Sequence, residues 1–191
     1  TDSDGTRLDM GAYYYHNEYS GPTWYITESG NDTTATGASD DPFRSIQSGI
    51  NFSSDTDSVA VAAGTYVENI NFRGRNIKVV GADRETTIID GNQNGSVVAF
   101  ISSEDSSTVL NGFTLTNGYA DFGGGINCFE YSSPTINNVI VTNNTATVAG
   151  GGLCFRDWSS PKLNNIILEG NMTTLEGTGG ALYTYRYSNP S

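Results

Sequence analysis

The last third of the chain repeats one pattern of apolar and polar residues. The segment GGGINCFEYSSPTINNVIVTNN at residues 123–144 returns as GGGLCFRDWSSPKLNNIILEGN at residues 150–171, and a third copy begins with GGALYTYRYSNP. Alignment puts the apolar residues of successive copies in shared columns: Ile126 with Leu153 and Leu182, Ile136 with Leu163, Val139 with Ile166, and Val141 with Leu168. Alternation with polar residues predicts short strands, and a repeat of this length predicts coils of a parallel β-solenoid.

The same pattern extends upstream with weaker repetition. The segment VLNGFTLTNG at residues 109–118 matches TINNVIVTNN of the first full copy. Gly and Asn recur between the strands, where tight corners require left-handed backbone conformations that these residues tolerate. Stacked Asn side chains also form hydrogen bonds from coil to coil, and we expect this of Asn138 and Asn165.

One stretch has helical rather than strand spacing. In residues 41–53, DPFRSIQSGINFS, the apolar residues Phe43, Ile46 and Ile50 recur at the period of a helix. Asp41 precedes Pro42, which predicts an N-cap followed by proline at the first helical position. We expect this short helix to cover the first sheet edge of the solenoid.

Length and charge restrict the class of protein. The 191 residues suit one domain, and the formal net charge is −12. Nucleic-acid binding and attachment to an anionic membrane surface both need basic residues, so neither is expected. Membrane insertion is not expected either, because no apolar run approaches the ~20 residues that span a bilayer.

Residues 24–70 carry a resemblance to a known group of proteins. An aromatic strand, a Gly/Asp/Thr loop, a Pro-Phe helix and a Val-rich strand lead to the ending Gly64, Thr65, Tyr66 and Glu68. This order resembles the opening of secreted right-handed parallel β-helix proteins of the pectate-lyase-like superfamily. The resemblance covers residues 23–191 and implies an extracellular or cell-surface right-handed parallel β-helix, all-β with a short N-terminal capping helix. It implies no single activity, because the group includes enzymes, adhesins and proteins of unknown role.

Residues 1–22 resemble a different part of such proteins. The segment DSDGTRLDMGAYYY at residues 2–15 is similar to the motif that closes a β-helix, although here it comes first. Either the chain is a slice of a longer tandem protein, or it is a subunit that completes a neighbour's solenoid; a third reading is that its ends are arbitrary. The first two readings both predict a long object. The subunit reading predicts head-to-tail self-association into a fibre, and the junction residues would be Asp4, Gly5, Arg7, Asp9, Met10, Tyr13 and Tyr15.

Acidic side chains share one column of the repeat. Glu130 and Asp157 are equivalent residues one coil apart, and Arg186 follows them. A glycoside hydrolase needs two or three clustered carboxylates, and Asp121 is expected near the turn that precedes this column. A polysaccharide lyase needs a calcium cluster and a basic proton acceptor, for which Arg156 and Arg186 are the candidates nearby. The column equally describes a solvated ladder with one salt bridge. We therefore expect no catalytic residues, with a lyase or hydrolase as the alternative.

The next column is aromatic and contains Tyr131, Trp158 and Tyr187. Coil stacking would place these rings about 4.8 Å apart along one edge. Such a column stabilises a solenoid by ring stacking, and it also contacts sugar rings, so polysaccharide is a candidate partner.

Other candidate sites are weaker. The loop residues Asp32, Asp40 and Asp41 leave calcium binding open, although no specific calcium loop is present and no cofactor is expected. Asn31 and Asn94 lie in Asn-x-Ser/Thr sequons and are glycosylation candidates. Cys128 and Cys154 fall one position apart in the repeat, so alternation should point them to opposite faces, and a disulfide is doubtful.

The function predicted from the sequence is structural. The leading hypothesis is an extracellular structural or adhesive β-solenoid, a segment or subunit of a long surface fibre. The alternative is a carbohydrate-binding or polysaccharide-cleaving β-helix module.

Overall fold

The computed structural model describes residues 21–174 and 176–191, which form a parallel β-solenoid of about four turns. About 45% of the chain is strand and 4% is helix, so the predicted all-β fold with one short helix is confirmed. The helix α1 spans Ile46–Phe52. The strands are β1 (Thr23–Ile26), β2 (Ser58–Val61), β3 (Gly64–Val67), β4 (Ile70–Asn71), β5 (Lys78–Gly81), β6 (Thr87–Asp90), β7 (Val98–Phe100), β8 (Val109–Thr116), β9 (Tyr119–Phe122), β10 (Ile126–Cys128), β11 (Thr135–Thr142), β12 (Thr145–Ala149), β13 (Leu153–Arg156), β14 (Lys162–Glu169), β15 (Met172–Thr173) and β16 (Leu182–Tyr185).

The strands stack into sheets that run along the solenoid. One sheet has the order β1-β2-β5-β8-β11-β14, and β3 and β6 join it beside β8. A second sheet has the order β4-β7-β10-β13-β16, and a third contains β9, β12 and β15. Every pair of these strands is parallel, and the register places each residue on its equivalent in the previous coil, as Leu163 lies on Ile136. The columns predicted from the repeat are confirmed.

The long strands β8, β11 and β14 each bend at one left-handed residue. The bend lies at Gly112, Asn138 and Asn165, whose φ angles are 83°, 50° and 54°. The Asn165 side chain donates from Nδ2 to Oδ1 of Asn138 at 2.7 Å, which confirms the predicted contact. Asn164 donates to Asn137 in the same way at 2.8 Å, so two amide ladders run along this face.

The repeated Gly triplets form a corner with no room for side chains. Gly150 has a φ angle of +67°, and a Cβ atom on Gly151 would lie 2.1 Å from the carbonyl oxygen of Met172 in the next coil. Left-handed backbone and close chain approach both favour glycine. The triplet occurs in two copies and returns as Gly-Gly-Ala at residues 179–181, because each of these coils makes the same corner.

The core is a set of stacked apolar columns inside the coils. The Phe72 and Phe100 rings lie 4.4 Å apart between their centroids. Ile136, Val139 and Val141 in β11 are all fully buried. Burial of these side chains removes apolar surface from water, at roughly 25 cal/mol per Å².

The helix is shorter than predicted, and its start differs. Ser45, not Asp41, is the N-cap, and its side chain accepts a hydrogen bond from the Ser48 N–H. Phe43 is extended instead, because its N–H donates to the Tyr25 carbonyl and its own carbonyl accepts from the Thr27 N–H. Pairing with β1 therefore delays the helix by one turn. The helix packs against β1, β2 and β4.

No helix in the described part of the chain has the length and apolar character needed to cross a membrane.

The two cysteines lie one register position apart. Cys128 pairs with Phe155, whereas Cys154 pairs with Asn127. Both thiols are free and buried. The predicted offset is confirmed, and burial raises the pKa of both thiols.

A buried carboxylate holds one corner of the solenoid. Glu104 is 0% exposed, and its carboxylate accepts hydrogen bonds from the Gly74 N–H at 2.8 Å and the Ser102 N–H at 3.0 Å. The Ser132 hydroxyl of the next coil donates to the same carboxylate at 2.9 Å. Glu104 thereby joins three successive coils.

Replacing Glu104 tests this corner. We expect Glu104→Ala to lower the free energy of unfolding by about 3 kcal/mol, because buried donors lose their acceptor. Urea denaturation followed by circular dichroism measures the loss. The control is Glu85→Ala, since Glu85 is exposed and pairs with Arg84 at the surface, so the change in stability should be much smaller. Equal losses in the two variants would contradict the corner role.

Candidate functional site

The predicted aromatic column forms on the surface of the last coils. The rings of Tyr131 and Trp158 stack with centroids 5.3 Å apart and an interplanar angle of 8°. Trp158 and Tyr187 stack at 5.7 Å and 20°. All three residues are left-handed, with φ angles of 57° to 63°, and each follows another left-handed residue at the same corner. The corner geometry therefore aims the three rings in one direction.

Stacking leaves only part of the rings available to a ligand. Each ring of Tyr131 and Trp158 has at least one face covered by its neighbour, so the column presents mainly ring edges to solvent. Tyr131 and Tyr187 stand at the two ends of this stack, each ring stacks on Trp158 alone, and the residues are 61% and 82% exposed. A sugar that binds by packing its C–H groups on a ring face would therefore contact one of these two rings.

The acidic column lies beside the rings and contains one ion pair. Arg186 Nη1 lies 3.3 Å from Asp157 Oδ1, while Glu130 is exposed one coil earlier. These residues line an open groove of about 360 Å³ together with Ser103 and Phe129. Paired carboxylates in glycoside hydrolysis act as acid and base, and here Asp157 is bonded to a cation. The arrangement matches the solvated ladder with one salt bridge.

Arg156 and Asp121, the other two candidates for a catalytic role, do not lie in this column. The Arg156 guanidinium lies over the Phe122 ring at 3.8 Å and over the Phe129 ring at 4.6 Å. Asp121 lies in β9 of another sheet and accepts a hydrogen bond from the Thr147 hydroxyl at 2.6 Å. Both side chains make packing or hydrogen-bond contacts that maintain the coils.

A second groove lies near the helix and is lined by three carboxylates. Glu68 directly follows β3 and accepts hydrogen bonds from the Ile46 and Gln47 N–H groups at 2.8 and 3.0 Å. These bonds cap the N-terminus of α1. Asp32 Oδ1 accepts from the Arg44 and Ser45 N–H groups, both at 2.9 Å. Glu28 accepts from the Thr65 N–H at 2.9 Å. All three acids satisfy backbone donors of distant segments.

Burial and hydrogen bonding shift the pKa values in this groove in opposite directions. Burial raises the pKa of Glu68 because desolvation outweighs the two backbone hydrogen bonds. Burial alone would raise the pKa of Asp32 as well, but the hydrogen bonds from Ser45 and Arg44 outweigh it, so the pKa is lowered. Burial and the negative charges of Glu28 and Glu68 raise the pKa of Tyr66 to about 12. The Tyr66 hydroxyl donates to the Ala62 carbonyl at 2.9 Å.

The calcium candidates do not form one cluster. Asp32 accepts a hydrogen bond from the Arg44 N–H, just before the helix. Asp41 Oδ2 accepts from the Thr36 N–H at 2.8 Å. Asp40 is exposed in the same loop. Across residues 21–174 and 176–191, no group of three or more His, Cys, Asp or Glu side chains is placed to hold a metal ion.

The two glycosylation candidates are on the surface. Asn31 is exposed, and its side-chain oxygen accepts from the Thr33 and Thr34 N–H groups, which forms a turn. Asn94 is also exposed. Their modification stays a prediction.

The predicted junction residues lie outside the described residues: Asp4, Gly5, Arg7, Asp9, Met10, Tyr13 and Tyr15.

The apolar columns of the core are less buried in the last described coil. We call it the open edge: β14, β15 and β16, each the last strand of its sheet within the described residues. Leu163, Ile166 and Leu168 of β14 are only partly buried, and Leu182 of β16 is 39% exposed. The residues in the same columns one coil earlier are at most 1% exposed. The apolar columns therefore extend to β14 and β16, the last strands described in their sheets.

Comparison with known proteins adds one match. The model of a family described as a protein of unknown function, DUF1565, matches residues 28–75, about a quarter of the chain. The match spans the carboxylate groove, α1 and β2 to β4, and it fits the parallel β-helix fold. No curated protein and no solved structure matches the chain.

The lowered pKa of Asp32 generates a prediction about acid stability. A carboxyl whose pKa is lower when folded stabilises the protein above its unfolded value, here 3.8, and this stability is lost as the pH falls through the folded value. Asp32→Asn keeps one oxygen to accept both N–H groups but loses the charge. We expect the free energy of unfolding of the variant to be below that of wild type by less than ~1 kcal/mol at pH 7, after solvent screening. Between pH 7 and pH 3 the variant should lose less stability than wild type does.

Urea denaturation at the two pH values measures this effect. Asp40→Asn in the same loop is the control for removal of a nearby negative charge. If Asp32→Asn lost as much stability as wild type between pH 7 and pH 3, the assignment would be contradicted.

The aromatic column generates a second prediction. We expect Trp158→Ala to lower the free energy of unfolding by about 1–3 kcal/mol, because two ring pairs are lost. Tyr187→Ala loses one pair and should cost roughly half as much. Thermal and urea denaturation compare the two variants. A larger loss at Tyr187 than at Trp158 would show that stacking is not the source of the stability.

Proposed function

We propose that this chain is an extracellular structural or adhesive β-solenoid, a segment or subunit of a long surface fibre that grows head to tail. The observation that carries the proposal is the coil-on-coil register, in which parallel strands place each residue on its equivalent and like side chains form continuous columns. Backbone groups at a strand edge and apolar columns without a cover together favour the addition of another strand. A contact between two different surfaces that does not close into a ring produces a filament.

The chain itself covers one edge of the described solenoid, at β1. The outer side of β1 is occupied, because the Tyr25 N–H donates to the Gly37 carbonyl and its carbonyl accepts from the Phe43 N–H, both at 2.9 Å. The Trp24 and Phe43 rings stack beside this contact at 6.0 Å. Within the described residues, the β1 edge of the solenoid is therefore covered by the loop and helix that follow it.

The solenoid itself supplies the mechanical property that a fibre needs. Each coil donates and accepts backbone hydrogen bonds along its length, so load passes from coil to coil through many parallel bonds. The extracellular location is supported by the resemblance to secreted β-helix proteins and by the net charge of −12, which favours solubility.

A carbohydrate module is the second candidate, and the exposed face of Tyr187 favours it. The groove beside this ring contains Glu130, Asp157 and Arg186, which offer hydrogen-bond partners to hydroxyl or carboxylate groups of a polysaccharide. Binding or cleavage, with calcium as a cofactor left open, would follow the pectate-lyase-like resemblance. Cleavage of any polyuronate by the purified chain would favour this function over the fibre.

A pair of neighbouring residues tests the fibre. Ile166 belongs to an inward column of the open edge, whereas Ile167 points outward and is 40% exposed. We expect Ile166→Lys to abolish filaments, because an added coil would bury an unpaired charge. Ile167→Lys should leave most filaments intact. Negative-stain electron microscopy and sedimentation velocity measure assembly, and urea denaturation checks that both variants fold.

The proposal would be overturned if the wild-type chain remained monomeric at all concentrations tested. It would also be overturned if the two lysine variants assembled equally well.

A further inference from the structure

The aromatic column begins within the solenoid, at Tyr131. The strand pairing of Phe100 with Cys128 puts Ser103 at the ring position of the coil before it. The Ser103 hydroxyl donates to the Glu130 carbonyl at 3.1 Å, so the two coils are in contact at this corner. A serine side chain is too small to cover a tyrosine ring. The column therefore stops at Tyr131 because of the sequence, between two coils that are both described.

One face of the Tyr131 ring is consequently free. Trp158 stacks on one face, and the opposite face is directed toward the coil of Ser103. Tyr131 is more exposed than Trp158, whose ring has a neighbour on each face. Ser103 and Tyr131 both line the groove of about 360 Å³ beside the rings. A ligand ring on Tyr131 would extend the column into this groove.

The charges of the groove are unbalanced. It contains two carboxylates, Glu130 and Asp157, and one guanidinium, Arg186, which gives a net charge of −1. Arg186 pairs with Asp157 at 3.3 Å, while no residue in the described part of the chain forms an ion pair with Glu130. The chain as a whole has a formal net charge of −12. A cationic ligand is therefore attracted to this groove, and a polyanion such as a polyuronate is repelled.

The backbone around the groove favours a sugar over a peptide. The N–H groups of Ser103, Phe129 and Tyr131 all donate to acceptors within the protein, at 2.9 to 3.2 Å. A peptide that binds as an added strand needs such groups free. A sugar needs a ring face for its C–H groups and side chains for its polar substituents, and this groove has both.

We infer that this groove binds a cationic amino sugar of a polysaccharide, with the sugar ring on the free face of Tyr131 and its ammonium group at the Glu130 carboxylate. An ammonium close to the tyrosine ring also gains from the negative charge of the ring face. The inference rests on the carbohydrate module, the second candidate function above, and names the class of sugar that the module binds.

Calorimetric titration of the full chain with three oligosaccharides of equal length tests the ligand class. The probes are an oligomer of glucosamine, an oligomer of N-acetylglucosamine and an oligogalacturonate, at a pH where the glucosamine amines are charged. We expect the glucosamine oligomer to bind about tenfold more tightly than its N-acetylated form, which has the same rings without the charge. The oligogalacturonate should bind most weakly.

A pair of matched variants tests the role of the carboxylate. Glu130→Gln keeps the shape of the side chain and should remove the preference for glucosamine over N-acetylglucosamine. Glu169→Gln removes an equal charge from an exposed position of β14 and should keep the preference.

A third variant fills the proposed site. Ser103 is left-handed with a φ angle of 60°, close to the 62° at which Tyr131 holds its ring, so Ser103→Tyr should add a ring to the column. We expect this variant to lose binding of the oligosaccharides and to remain folded. Circular dichroism and urea denaturation check the folding of all three variants.

The outcomes separate the class of sugar from the carbohydrate function. Equal or tighter binding of the N-acetylglucosamine oligomer or the oligogalacturonate would overturn the amino-sugar assignment while the carbohydrate module stands. Equal effects of Glu130→Gln and Glu169→Gln, or undiminished binding by Ser103→Tyr, would overturn the site.

A peptide probe and the absence of binding give the remaining outcomes. If a lysine oligopeptide bound as tightly as the glucosamine oligomer and depended equally on Glu130, the groove would be a general cation site and the inference would be wrong. If none of the sugars bound, both the inference and the carbohydrate module would fail.

Discussion

Every residue of a long strand in this protein lies on its equivalent one coil earlier, and most other features depend on that register. Because the register is fixed over successive coils, like side chains form columns: apolar columns inside, Asn ladders at the bend and an aromatic stack at the outer corner. A column is stabilised only where a neighbour continues it. This explains why the same residue types are fully buried in β11 and partly exposed in β14.

Several acidic side chains have a structural role at the corners between the stacked strands. Corners of a solenoid interrupt the strand pairing and leave backbone N–H groups without partners. Glu104 supplies acceptors inside the coil stack, and Glu68 and Asp32 supply them around the start of the helix. These carboxylates connect segments that are far apart in the chain. The negative charge of the protein thus partly reflects the needs of its corners.

The difference between the two ends links the fold to the proposed function. At β1, Phe43 and Gly37 occupy the edge, and the helix packs behind them. At β14 the inner columns end at a surface of the described chain. A covered β1 edge limits the addition of a further coil on that side of the described stack.

The sequence alone was enough to predict the periodic part of this protein. Repeat spacing determined the columns, the Asn138–Asn165 contact, the ring stack at Trp158 and the offset of Cys128 from Cys154, because each follows from placing one coil on the next. The resemblance to β-helix openings included Glu68, yet it carried no information on what Glu68 binds.

Only the tertiary structure decided the non-repeating contacts. The prediction of Asp41 as N-cap was wrong because Phe43 pairs with β1, a contact that no local pattern encodes. The roles of Glu28, Glu68 and Glu104 likewise depend on backbone donors more than 20 residues away or in another coil. Arg156 is held between two phenylalanine rings by folding of separate segments. Periodicity is a local property of the chain, whereas these partners are selected by where the corners meet in space.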